Sequence, residues 1–187
     1  YLDALEAVGL TNLTWSAAYW SPVRRELVAY LPPNGEAELL KTIRHEAFHQ
    51  YLSYATSFLP TSPWLNEGYA QYFETFPADK PDISPEDIER YSFLLPSLFL
   101  MDYAEFYSGT DEERALKYAL AKSIVIFLER GADKVRFKPF KNFKADYLEA
   151  LFETHDPVKA TSAAFQHKRE LMEKFVGEWI VYWKSHL

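Results

Sequence analysis

The sequence contains no cysteine among its 187 residues. This absence excludes a disulfide framework, a thiol nucleophile and any metal site built from thiolate ligands. A metal ion would therefore have to be held by histidine and carboxylate side chains. Only five histidines are present, so their positions along the chain carry most of the information about such a site.

Long apolar runs and an excess of basic residues are also missing. The longest apolar stretch, 93–101, is interrupted by Pro96 and Ser97, whereas a membrane-spanning helix needs about 18 uncharged apolar residues. The net charge of −7 argues against nucleic acid as the main partner. The chain begins at Tyr1 without a basic-then-apolar leader, so we expect a processed protein or a piece excised from a longer one.

Aromatic and apolar side chains are abundant instead. Aromatic residues make up 17 % of the chain and hydrophobic residues 48 %, which predicts a folded domain rather than a disordered segment. The length corresponds to one domain, because typical domains hold about 100–200 residues. We expect residues 1–187 to form a single domain, with a β-hairpin in 1–35, a helix pair in 36–76 and a helical subdomain in 84–187.

The first part of the chain is typical of a β-hairpin followed by a helix. Residues 14–20 and 26–31 are rich in aromatic and β-branched side chains, which predicts two strands joined by a turn near 21–25. Apolar residues then recur at helical spacing from about 36 to 57. Asn34 is the expected N-cap of this first helix.

Further helix starts follow along the chain. Ser62-Pro63 and Ser84-Pro85 each combine a capping residue with proline in the first turn, and Thr110-x-x-Glu113 is a capping box. We predict helices over about 63–76, from 85 with an interruption at Pro96, and over about 111–130, with two or three more in 142–187. The predicted fold class is α+β, mainly α: a small N-terminal antiparallel sheet followed by a helical bundle.

Residues 44–50 read Arg-His-Glu-Ala-Phe-His-Gln. His45 and His49 leave the same face of the predicted helix, about one turn apart. That spacing lets both imidazoles reach one Zn²⁺ ion at about 2.0–2.1 Å. Glu46 points about 100° away, where it can act as general base on a metal-bound water. Two histidines and a charge on an ordinary helix face would give the same pattern.

A catalytic zinc site needs a third protein ligand and an open position. Glu67 supplies that ligand if the chain turns after His49 and returns antiparallel, so that the carboxylate faces both histidines. Glu74 lies about 20° from Glu67 on the helical wheel, and we expect it to accept the second N–H of a ligating histidine. Asn66 is expected to support the ligands in the same way. Gly68 predicts close approach of the two helices or of substrate.

H-E-x-x-H followed by W-L-N-E-G-x-A-x-Y-x-E resembles the gluzincin zinc metallopeptidases. Among them it is most similar to the peptidase-MA-like branch, which includes the leukotriene-hydrolase-type aminopeptidases, and there to a bacterial family of uncharacterised peptidase-like domains. The resemblance covers residues 44–74. It implies a zincin-like fold, with His45, His49 and Glu67 as ligands of one zinc ion and Glu46 as base. The spacing from His49 to Glu67 is one residue shorter than is usual in the aminopeptidase branch.

A tyrosine on the long predicted helix completes the resemblance. Tyr118 resembles the aminopeptidase tyrosine that hydrogen-bonds the tetrahedral intermediate, which makes it the candidate oxyanion donor. Tyr107, Tyr103 and Tyr69 are the fallbacks. Packing in the core is an equally good interpretation of Tyr118, because aromatic residues on helices are commonly buried.

The sequence departs from those aminopeptidases in its expected substrate contacts. It lacks the G-x-M-E-N segment whose glutamate grips the free amine of a substrate. By analogy with related zincins, in which an edge strand pairs with extended peptide, an endopeptidase-like groove is favoured. We expect this edge strand to contain the residues that contact a peptide or protein substrate, namely Glu26, Leu27, Val28 and Ala29.

Other functions stay open at this point. One alternative is a catalytically inactive zincin-like domain used for binding, and another is hydrolysis of a different bond, such as an epoxide or an amide. An intact Glu46 favours an enzyme, because a site without catalysis has no use for a base. The basic and aromatic stretch 134–144 could bind an anionic polymer, but the acidic chain favours aromatic side chains that pack inward and solvated lysines.

Overall fold

A computed structural model describes residues 17–31, 33, 35–76, 82–132 and 138–186. Within these residues the protein is mainly helical, with one two-stranded antiparallel sheet near the N-terminal end, as the sequence predicts. None of the described helices combines the length and the apolar character that crossing a membrane requires.

The sheet consists of β1 (Ala18–Ser21) and β2 (Glu26–Ala29). The helices follow in chain order as α1 (Glu36–Ala55), α2 (Pro63–Glu74), α3 (Pro85–Tyr91), α4 (Leu95–Leu98), α5 (Tyr103–Tyr107), α6 (Asp111–Ile126), α7 (Phe143–Thr154), α8 (Pro157–Ala164) and α9 (Arg169–Lys184). A 3₁₀ turn at Ser92–Leu94 joins α3 to α4, a π-helical turn at Phe127–Gly131 extends α6, and a 3₁₀ turn at Lys138–Lys141 precedes α7.

The predicted hairpin is confirmed over its described residues, and 14–16 lie outside them. Trp20 pairs with Leu27 in the register of the ladder. Tyr30 N–H donates to Ala17 O at 2.9 Å, so Ala17 and Tyr30 form a hydrogen-bonded pair. Because such pairs alternate with non-hydrogen-bonded pairs along an antiparallel ladder, the pair of Trp20 and Leu27 is a non-hydrogen-bonded one. Trp20 therefore directs its N–H away from β2. β1 is fully buried and β2 only partly, because β1 is the strand that packs more closely against α1.

The helix starts agree with the sequence at Ser84 and Thr110, whose side chains accept the main-chain N–H three residues further on. The predicted cap at Ser62 is wrong. Ser62 occupies the N-cap position of α2, but its hydroxyl donates to Pro157 O at 3.1 Å and also contacts Tyr147 and Thr161. Contacts with α7 and α8 have therefore replaced the local cap. The predicted cap at Asn34 lies outside the described residues.

Two features differ from the predicted helix pattern after residue 76. The interruption expected at Pro96 occurs earlier, since α3 ends at Tyr91 and Pro96 lies in the first turn of α4, where its missing N–H costs nothing. The short helix α5 was not predicted, although Asp102 and Glu105 form a capping box at its start. The three helices α7, α8 and α9 fit the prediction for 142–187.

One cluster of buried side chains extends from α1 to α9, and α2 is central to it. α2 packs against α1 and against α6. Trp64 of α2 is fully buried and meets Phe99 edge-to-face, with ring centroids 5.1 Å apart. The position of α2 is thus fixed from both sides, by α1 and by α6.

In the stretch 134–144, Phe140 and Phe143 are buried as predicted, whereas residues 133–137 lie outside the described part.

Candidate metal centre

α1 and α2 bring three potential metal ligands together: His45, His49 and Glu67, called the triad below. The Nε2 atoms of His45 and His49 lie 3.6 and 3.7 Å from Oε2 of Glu67. One ligand atom from each residue lies within 4.8 Å of the other two. Glu67 is only 3 % exposed. A buried carboxylate thus faces two imidazole nitrogens, and this group can hold a metal ion.

Each histidine also forms a hydrogen bond through its Nδ1 atom, and the partners are the two residues that the sequence suggests. His45 Nδ1 lies 3.0 Å from Oε2 of Glu74, and His49 Nδ1 lies 2.8 Å from Oδ1 of Asn66. Because these oxygens accept, Nδ1 carries the proton and Nε2 is directed towards Glu67. Asn66 in turn donates through Nδ2 to the hydroxyl of Tyr103 at 2.8 Å. The hydrogen bonds therefore orient both rings for metal binding.

Glu46 is fixed by the sheet rather than by its own helix. Its Oε2 atom accepts the main-chain N–H of Trp20 at 2.8 Å, which is the N–H that β1 directs away from β2. Sequence reasoning did not predict this bond. The position of Trp20 in a strand just before the helix was the only available signal, and it does not show which edge of the hairpin faces the helix.

The charges of the site shift the pKa values of its members. Burial alone would lower the pKa of His45, but hydrogen bonds to Glu67 and Glu74 and the nearby carboxylate charges outweigh it and raise this pKa to about 10. Burial opposes ionisation of Glu67, yet the two histidines and the hydroxyl of Tyr107 hold its pKa below the usual range. Burial raises the pKa of Glu46, and the charges of the histidines only partly offset this.

Two tyrosines complete the surroundings of Glu67. Tyr107 donates its hydroxyl to Oε1 of Glu67 at 2.5 Å. The ring of Tyr118, the predicted oxyanion donor, lies beside that of Tyr107, with centroids 6.4 Å apart. Burial and the charge of Glu67 raise the pKa of both tyrosines, so both hydroxyls stay protonated. The hydroxyl of Tyr69 donates to Glu129 instead and is not directed at the triad.

The sequence suggests that Gly68 lets α2 approach α1, but in the structure Gly68 faces another helix. A Cβ atom at this position would lie 2.6 Å from the main-chain oxygen of Ala121 and 2.9 Å from Val125. Both residues belong to α6. Gly68 therefore permits the close approach of α2 to α6 rather than to α1, and this contact lies directly beside Glu67.

A cavity of about 340 Å³ adjoins the triad, and Glu46, His49 and Glu67 are part of its wall. The strand residue in this wall is Trp20 of β1. The four residues of β2, Glu26 to Ala29, do not line this cavity, and their predicted contact with substrate stays a prediction. Both strands contact α1, and β1 packs against it more closely than β2 does.

Comparisons of the chain with protein-family models, with curated proteins and with solved structures find no match.

Proposed function

We propose that this protein is a zinc-dependent peptidase of the gluzincin type, with one zinc ion held by His45, His49 and Glu67. The observation that carries the proposal is the convergence of both histidine Nε2 atoms on Oε2 of Glu67, with Glu46 on the same turn of α1. The donor set supports zinc as the metal. Two imidazole nitrogens and one carboxylate oxygen, with a position left open, suit a catalytic zinc ion.

When bound, a zinc ion would lower the pKa of a water molecule towards about 7 and polarise the carbonyl of the bond to be cleaved. Glu46 is the proposed general base. It takes a proton from the attacking water as oxygen adds to the carbonyl carbon, and delivers that proton to the amine that leaves when the C–N bond breaks. The hydrogen bond from Trp20 N–H keeps the carboxylate oriented, and burial raises the pKa of Glu46 above its ordinary value.

The oxyanion that forms on the carbonyl needs a neutral donor. Tyr118 and Tyr107 are both protonated phenols close to Glu67. Both hydroxyls interact with Glu67, and Tyr118 remains the proposed donor because its position on the long helix is the one that the resemblance implies. The sequence lacks the segment with which the aminopeptidases grip a free amine, and this favours an endopeptidase-like groove for a peptide or protein substrate.

The decisive test is the variant Glu46→Gln. It keeps the size of the side chain and can still accept from Trp20 N–H, but cannot take up a proton. We expect zinc binding within about twofold of the original protein and a loss of about 10²–10⁴-fold in kcat/KM on a quenched-peptide library. Glu153→Gln, an exposed change on α7, is the matched control and should leave both quantities unchanged.

Two outcomes would contradict the mechanism. Full activity in Glu46→Gln would exclude this residue as the base. Bound zinc without cleavage of any peptide by the original protein would favour a zincin-like binding domain instead. Metal analysis by mass spectrometry on protein purified without chelator measures how much zinc the protein binds, which is needed to interpret either outcome.

A further inference from the structure

The cavity beside the triad has an apolar wall that the proposed reaction does not use. Besides the triad side, its lining includes Trp20 of β1 and the residues Phe58, Leu59 and Pro60 of the loop that follows α1. Its volume of about 340 Å³ falls in the range of ligand pockets, about 300–1,000 Å³. The space therefore suits one large side chain of a bound molecule.

The hydroxyl groups in this wall are already used by the protein. Ser53 donates to the main-chain oxygen of His49 at 2.7 Å and accepts from Trp20 Nε1 at 3.2 Å. Thr56 donates to Leu52 O at 2.9 Å. An apolar guest against this wall would therefore leave neither hydroxyl newly unpaired, and a polar guest would lose hydrogen bonds to water that these two hydroxyls do not replace. In the described part of the chain no lysine or arginine lines the cavity, whereas the carboxylates of Glu46 and Glu67 do, which disfavours an acidic guest.

Phe58 is held in place from two sides. Its ring meets Tyr54 edge-to-face with centroids 5.1 Å apart, and the guanidinium of Arg25 lies 4.9 Å from its centroid. Arg25, Ser57 and Phe58 adopt positive φ angles of 55°, 53° and 63°, which favour glycine. Such conformations persist where surrounding contacts enforce them, and they cluster at functional sites. The two turns that meet here, together with Tyr54 and Arg25, place the ring of Phe58 in the wall.

From this wall we infer that the cavity binds a large apolar side chain of a peptide substrate beside the bond that is cleaved, and that Phe58 and Trp20 determine this preference. The inference rests on the proposed function for the position of the cleaved bond. Binding of the side chain itself needs only the cavity, so the two can be tested separately.

Binding is tested on the purified protein without added metal, with N-acetyl-phenylalaninamide as the probe and N-acetyl-glycinamide as its control. The indole N–H signal of Trp20 in an NMR titration reports occupation of the cavity. We expect a saturable shift with the phenylalanine probe alone. Phe58→Ala should weaken this binding about tenfold or more, as lost apolar contacts in a pocket do, whereas Phe58→Leu should retain most of it. Phe93→Ala, at a residue 70 % exposed and outside the cavity wall, is the matched control and should bind as the original protein does.

Hydrolysis by zinc-loaded protein provides the second readout. For peptides that differ only by Phe or Gly beside the cleaved bond, we expect a preference in kcat/KM of about tenfold or more, reduced at least threefold in Phe58→Ala. Binding of the probe without hydrolysis of any peptide would contradict the proposed function and support the cavity assignment. Equal hydrolysis of both peptides, with no Phe58-dependent binding, would overturn the assignment and leave the peptidase standing. Circular dichroism confirms that each variant is folded.

Discussion

At the scale of single residues, neighbouring carboxylates change the charge of His45. Its pKa is raised to about 10, from an ordinary value of 6.5, by Glu67 and Glu74 against the effect of burial. The metal-free protein therefore carries an imidazolium at this position at neutral pH. Because the folded pKa exceeds the unfolded one, the resulting stabilisation is fully present below about pH 6.5 and is lost as the pH rises through about 10. Zinc must displace this proton to bind.

The variant Glu74→Gln tests that account of His45. Removing the carboxylate at 3.0 Å from Nδ1 takes away one of the two hydrogen-bonded charges, so the pKa of His45 should fall. An NMR titration of the metal-free protein should give a midpoint near 10 for His45 in the original protein and a lower one in the variant. Glu149→Gln, on the exposed face of α7, should not move it. An unchanged midpoint in Glu74→Gln would mean that Glu67 alone sets the charge.

At the scale of elements, the contact of α2 with α6 positions Glu67. Gly68→Ala would place a Cβ 2.6 Å from Ala121 O, and main-chain atoms of a buried helix cannot retreat cheaply. We expect a loss of about 1–3 kcal/mol in the free energy of unfolding. The displacement of Glu67 should also weaken zinc binding about tenfold or more. Denaturant titration and competition with a zinc chelator measure the two effects.

Gly177→Ala is the matched control for that change, since Gly177 lies inside α9 and a Cβ there would meet nothing within 4 Å. Alanine is the better helix former, so this variant should gain about 0.5–1 kcal/mol in stability and bind zinc normally. If both variants are stabilised, α2 and α6 do not pack as closely as described, and Gly68 has no role in placing Glu67.

The helices show which parts of the fold are predictable from sequence. Ser84 and Thr110 cap their helices through neighbours three residues away, so the local pattern is sufficient. Ser62 carries the same pattern, but Tyr147 and Thr161 take its hydroxyl, and nothing local indicates these partners. α5 is only five residues long, so no apolar periodicity marks it, and its capping box is the one local sign.

The candidate site also has one part that is predictable from the sequence and another that is not. The grouping of the three candidate ligands follows from spacing along two helices, because His45, His49 and Glu67 each lie on a predictable face. The bond from Trp20 to Glu46 joins residues 26 positions apart, and the one from Tyr107 to Glu67 joins residues 40 apart. Such pairs depend on how whole elements dock. For that reason the sequence predicts that His45, His49 and Glu67 come together, but not which partners hold Glu46 and Glu67 in place.

At the scale of the whole molecule, the triad joins α1 to α2, and the ligands are separated once the chain unfolds. A metal ion that binds the folded state alone must therefore stabilise it. At free zinc of 100 times its Kd the gain is about 2.7 kcal/mol. For a chain of this size it corresponds to a rise of about 5–11 °C in the thermal midpoint, which scanning calorimetry measures directly.

Glu67→Gln separates binding at the triad from binding elsewhere on an acidic protein of net charge −7. The amide keeps the volume of the side chain and can still accept from Tyr107, but it is a much weaker zinc ligand. Most of the zinc-dependent rise should therefore disappear in this variant, while Glu153→Gln retains it. An equal rise in Glu67→Gln would place the stabilising ion at surface carboxylates, and a metal centre between α1 and α2 would then no longer explain how zinc acts on this fold.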